Sequence, residues 1–199
     1  MREGIVMAGS KVCWQARQVG RRMLAPPLTA LAACAGGVVA SGALSTASAF
    51  AVVTWAVQIY VIVTGVCMAA ALTGDPLIEL SESLPTPFRT VQSLRAGLVG
   101  GASLLSAAGM FLALRTFDLW PRPQGWAGLL DVTGAVALVS EAACVVAAFS
   151  GNASSSVIAA VTAWMALTLL WDPYVTSLLA QRGLPLAAGA LLLPLLWRR

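Results

Sequence analysis

The chain has 199 residues, of which 59% are hydrophobic and 10% charged, and its mean hydropathy is +0.85, values of a polytopic membrane protein rather than a water-soluble domain. Its net charge is +4, but the basic residues flank apolar blocks instead of forming a patch, which excludes nucleic acid as a partner. No apolar–polar alternation supports a transmembrane β-barrel, and no polar stretch is left over for a disordered region, a disulfide-stapled secreted module or a soluble enzyme domain.

Residues 1–23 carry Arg2, Lys11, Arg17, Arg21 and Arg22. At helical spacing, Val12, Gln15, Ala16, Val19 and Met23 form a moderately apolar stripe beside Trp14, which predicts a cytoplasmic amphipathic helix lying on the membrane surface. The apolar region continues into further spans instead of ending at a cleavage site, so this leader reads as retained rather than as a signal peptide. Residues 24–199 read as one transmembrane domain of six helices, making the fold class all-α.

No charged residue occurs between Arg22 and Asp75, long enough for two crossings, at about Leu28 to Ala47 and Ala51 to Leu72, with the turn in Ser45-Thr46-Ala47-Ser48-Ala49. Small residues from Ala32 to Gly42, including Gly36 and Gly37, predict close helix packing in the first span. Gly97 and Gly101 form a GxxxG at the start of the third, and both sites read as packing within the chain ahead of a subunit interface. The later spans fall at Ala96 to Leu114, Gly125 to Phe149 and Ala153 to Trp171.

Leu184 to Trp197 reaches only about 21 Å at ~1.5 Å per residue. The last span therefore starts earlier, after Pro173, or follows a helix that dips back into the outer leaflet. With six crossings and the N-terminus inside, nine basic residues face the cytoplasm, Arg89, Arg95, Arg198 and Arg199 among them, while Arg115, Arg122 and Arg182 face out. Both termini are then cytoplasmic. Trp120, Trp126, Trp171 and Trp197 fall near interfaces.

The main polar interruption is Thr73 to Arg95. Asp75 before Pro76 is an N-cap followed by proline at the first helical position, and Pro85 and Pro87 close the helix off. A short cytoplasmic helix at about 75–84 results, with Leu77, Ile78, Leu80 and Leu84 needing cover and Glu79 and Glu82 on one face. Either a partner protein or the membrane surface covers it. Acidic residues against an anionic leaflet favour the partner.

The leader, the six spans, this helix and the run Glu79-Leu80-Ser81-Glu82-Ser83-Leu84-Pro85-Thr86-Pro87-Phe88-Arg89 together resemble the permease subunits of type V ATP-binding-cassette exporters, the ABC-2 family. The resemblance implies that residues 9–23 are a connecting helix. It implies that the segment 75–84 is a coupling helix, so that Asp75, Leu77, Ile78, Glu79, Leu80, Glu82 and Leu84 contact an ATPase. It further implies two copies of a P-loop ATPase carrying ATP and Mg, a second permease, identical or related, and a re-entrant hairpin before the last span, to which Asp172 through Gly183 correspond. The chain has no GxxxxGK[ST] of its own, so it is expected to bind no nucleotide.

Within the fourth span, Glu141 and Asp131 are candidate pathway residues, because ionisable groups at membrane depth are costly and need a polar partner or a cavity. The alternative for both is a structural role, with Thr64, Gln58 or Ser106 as partners for Glu141. Ten residues of helix separate the two carboxyls by ~15 Å, too far for a general acid/base pair. Cys34, Cys67 and Cys144 lie in apolar runs and Cys13 in the leader, without metal-ligand spacing, and the chain has no histidine; reduced thiols and no metal site are expected. Asn152-Ala153-Ser154 matches a glycosylation sequon but falls on the cytoplasmic side. Arginine outnumbers lysine eleven to one, the usage of a high-GC bacterium, which places the protein in a plasma membrane.

These readings favour the membrane-spanning subunit of an ATP-driven exporter of a lipophilic or amphipathic cargo. The alternative is a non-transporting accessory or immunity subunit. An integral-membrane enzyme ranks third, because no nucleophile, metal cluster or acid/base pair is evident.

Overall fold

The computed structural model describes residues 2–73, 88–121, 125–177, 179–184 and 186–187, and these contain helices and no strand. Helix α1 is Arg2–Ala43, α2 Thr46–Thr73, α3 Phe88–Thr116, α4 Gly128–Ser150 and α5 Ala153–Met165. A 3₁₀ turn at Gly125–Ala127 leads into α4, and a π-helical turn at Ala166–Trp171 extends α5. Five of these helices have a stretch long and apolar enough to cross a membrane: Met23–Ala43, Thr46–Thr73, Gln92–Thr116, Gly125–Ser150 and Ala153–Trp171. Most of the expected last span, and all of the expected coupling helix, lie outside the described residues.

Non-helical backbone at Gly20 divides α1 into the basic leader and the first span. The span begins at Met23, before the expected Leu28, and runs through Pro26 and Pro27. Membrane helices tolerate such prolines where neighbouring groups satisfy the freed backbone. The turn into α2 is tighter than the expected 45–49: Ser45 caps α2 by accepting from the Ser48 N–H at 3.4 Å, and its carbonyl accepts from Ala49 N–H at 2.9 Å. The residues after Ser45 are small and join the helix directly.

Between α4 and α5, Gly151 takes the left-handed conformation at φ 60 and donates back to the Ala147 carbonyl. Asn152 then caps α5, its side-chain oxygen accepting from Ser154 N–H at 2.9 Å. The apparent sequon is thus a helix-start signal. The third span also differs from expectation, since it begins at Gln92 and takes in Arg95, which is buried rather than loop-borne. A long aliphatic stem allows that placement near a helix end.

Helix α2 is the centre of the bundle, packing on α1, α3, α4 and α5, while α1 packs on α2 and α3. The core comprises Val53, Tyr60 and Val61 of α2, Val99, Met110, Phe111 and Leu114 of α3, and Val136 and Val139 of α4. Tyr60 Oη donates to the Ser103 carbonyl at 2.5 Å, tying α2 to α3. Leu28, Trp55, Leu105, Ile158 and Leu170 point outward and exposed. At most 39% of the most apolar stretch of any span is buried within the chain, a surface suited to hydrocarbon rather than water.

Candidate functional site

The π-helical turn decides where the polar groups gather. Its widened register, with Asp172 N–H donating to the Leu167 carbonyl at 2.8 Å, ends α5 and sets Asp172 at the bundle end away from Thr73 and Phe88. The chain then folds back. Tyr174 and Val175 N–H both donate to the Trp171 carbonyl, and Trp171 Nε1 donates to the Gln181 carbonyl, each at 3.1 Å. Gln181 Nε2 returns the contact to the carbonyls of Asp172 and Val175. Residues 179–184 are helical.

This return places Arg182 over the first turns of α4. Arg182 Nη2 lies 2.7 Å from Asp131 Oδ1 and 2.8 Å from Asp172 Oδ2, and Nη1 lies 2.6 Å from Asp172 Oδ1. Nε completes the set, donating to Asp131 Oδ1 at 3.0 Å and to its backbone carbonyl at 3.2 Å. The Asp172 pairing is bidentate, the geometry that a planar guanidinium favours. Gly134 makes room: a Cβ there would stand 2.8 Å from Arg182 Cβ. Burial alone would lower the guanidinium pKa, but the hydrogen bonds and charges of Asp172 and Asp131 raise it above its ordinary value, so Arg182 stays charged.

Beside this network a cleft of about 50 Å³, room for a few waters, opens between α2, α4 and α5. Thr54 and Gln58 of α2, Trp120, Asp131 and Ala135 of α4, Trp164 of α5, Thr168 of the π-helical turn and Arg182 are among the residues that line it. Trp164 Nε1 donates to Gln58 Oε1 at 2.6 Å, which leaves the Gln58 amide N–H₂ with no partner among the described residues. The arrangement can present an amide donor, hydroxyls, aromatic faces and an ion network to a solute. It contains no nucleophile with an adjacent base.

Of the expected pathway residues, Asp131 lies in this site and Glu141 does not. Glu141 is half-buried further along α4, with no hydrogen bond or ion pair among the described residues. The partners expected for it are engaged elsewhere: Thr64 donates to the Val61 carbonyl, Ser106 to that of Ala102, and Gln58 accepts from Trp164. Among the glycines expected to pack, Gly37 does so, since a Cβ there would meet Val53 at 2.9 Å and Leu114 at 3.2 Å. At Gly36, Gly97 and Gly101 a Cβ would meet nothing within 4 Å among the described residues. Gly36 and Gly97 are exposed on α1 and α3, which spacing alone does not reveal.

Asp172, Arg182, Gln58 and Trp164 were not expected as a unit. One signal for Arg182 was available, as it stands on the side that the positive-inside count disfavours, where an arginine needs a reason. Arg115, on the same side, lies 5.1 Å from the centroid of the exposed Trp126 ring. Cys34, Cys67 and Cys144 form no disulfide among the described residues. The expected partner contacts Asp75, Leu77, Ile78, Glu79, Leu80, Glu82 and Leu84 lie outside the described residues. No protein-family model, curated protein or solved structure matches the chain.

Proposed function

We propose that this chain is the membrane-spanning permease subunit of an ATP-driven exporter. The observation that carries the reading is the polar cleft itself. Gln58, Trp164 and Thr168 lie among helices whose other buried side chains are mostly apolar, with the Arg182 ion network at one end, and polar groups inside an apolar bundle read by default as a solute pathway. The break at Gly20, which separates a basic leader from the first span, agrees with a surface connecting helix. Gly36 and Gly97, open and exposed, supply faces on which a second permease, identical or related, packs closely.

In this reading ATP and Mg bind a separate P-loop ATPase in two copies, and the segment 75–84 seats in a groove of that partner. Closure of the ATPase dimer on ATP moves the segment and, through α2 and α3 on either side of it, the walls of the cleft. The cargo is lipophilic or amphipathic, the protein is a multi-pass protein of a bacterial plasma membrane, and both termini are cytoplasmic.

Purification under conditions that preserve complexes tests this. A P-loop ATPase co-purifies with the wild-type chain, and Leu80→Glu, which puts an unpaired charge into the contact, abolishes co-purification or uncouples ATP hydrolysis from transport while the permease still inserts. If no ATPase co-purifies and Leu80→Glu functions as wild type, the chain is an accessory or immunity subunit instead.

A further inference from the structure

We propose that the Arg182 network is a latch: it holds residues 171–184 down against α4 and thereby closes one end of the cleft between α2, α4 and α5. The proposal rests on how the return segment is attached. Trp171 packs on the core, but beyond it Tyr174, Leu179 and Leu184 are 81%, 73% and 60% exposed, whereas Gln181 and Arg182 are buried. The short helix is thus turned polar side inward. Directional bonds hold it, among them Trp171 to Gln181 and Arg182 to Asp131 and Asp172.

Such an attachment differs from an apolar seat. Apolar packing weakens gradually as surfaces separate, but a guanidinium clamped between two carboxylates keeps its partners or exchanges them for water nearly all at once. Water for that exchange has a place, since Arg182 and Asp131 both line the cleft. Gly134 lets the arginine stem lie flat on α4, and Asp172 ties the same guanidinium to the end of α5. Arg182 therefore joins two span ends and the segment across them, and its release frees that segment from α4. The latch requires no docked ATPase and stands apart from the exporter reading.

The test reads entry of a reagent into the cleft. Ala135→Cys is placed on the cleft wall in a chain whose four native cysteines are replaced, and a small uncharged methanethiosulfonate is applied to membranes opened to reagent on both faces. Asp172→Asn and Arg182→Gln each raise the labelling rate about tenfold, and their double variant labels no faster than Arg182→Gln alone, because both break one device. Ala160→Cys, buried in the bundle, keeps its slow rate in every background. Asp172→Asn leaves Asp131 on Arg182, so the test stands even if Arg182→Gln does not accumulate. An unchanged rate at position 135, effects that multiply in the double variant, or an equal rise at position 160 overturns the latch.

Discussion

Asp118 is the non-glycine residue at positive φ in the described chain, at 51°. It ends α3, where Leu119 N–H reaches the Leu114 carbonyl at 2.9 Å and Asp118 N–H that of Arg115 at 3.1 Å, a helix stop usually given to glycine. Asp118→Gly should stabilise the protein by about 1 kcal/mol, because glycine adopts this conformation without the steric penalty of a Cβ. Gly65 is the opposite case, since a Cβ there would lie 2.5 Å from Val139 Cγ1 and 2.9 Å from Ala160 Cβ. Gly65→Ala should cost about 1–3 kcal/mol through overpacking where α2, α4 and α5 meet. Gly97→Ala, into open space, should be neutral or slightly stabilising, and thermal unfolding in one detergent ranks all three. Spacing marks every glycine alike; only the face it occupies separates these outcomes.

At the scale of elements, hydropathy made the helices legible and left their ends to local chemistry. Five candidate spans fall where apolar runs predict them, because in hydrocarbon a helix satisfies every backbone N–H and C=O of so long an apolar run within the segment. Asn152 and Ser45 are both residue types that favour helix starts, so these two caps are legible in the sequence. The π-helical turn at Ala166–Trp171 has no sequence signature, and without it neither Asp172 nor the return to Arg182 is placed. Asn152→Ala should cost about 1 kcal/mol by removing the cap of α5, with little change in topology. Glu141 tests a different property of α4. With no partner among the described residues, its carboxyl is a burden to the fold, so Glu141→Leu should raise the unfolding temperature. Transport should be lost in both Glu141→Leu and Glu141→Gln if the ionisable proton serves the pathway. Full transport by both variants removes Glu141 from the pathway.

The whole molecule turns on a parity. The turn at Leu44 and Ser45, the end of α3 with the start of α4, and the return segment after Trp171 share one end of the bundle, and the helix ends at Thr73 and Phe88 share the other with the Gly151–Asn152 turn. Five crossings leave Trp171 on the side opposite the leader, and the sixth span expected from the sequence would bring the C-terminus back. The basic residues orient this frame. Arg17, Arg21, Arg22, Arg89, Arg95, Arg198 and Arg199 belong to the end that holds Thr73 and Phe88 if there are six spans, but Arg198 and Arg199 cross to the other side if there are five. An even count therefore satisfies the positive-inside bias best, and both termini should be cytoplasmic. Reporter fusions at residues 80, 120 and 199 and thiol labelling of cysteines placed at 48 and 152 read this directly. Cytoplasmic signal is expected from 80, 152 and 199, and external signal from 48 and 120. An external signal at 199 with the others unchanged would mean five crossings and leave the return segment as the chain's last element on that face. Reversal at every position would invert the bundle, put the cleft and its Arg182 network at the cytoplasmic end, and remove the segment 75–84 from the reach of any ATPase.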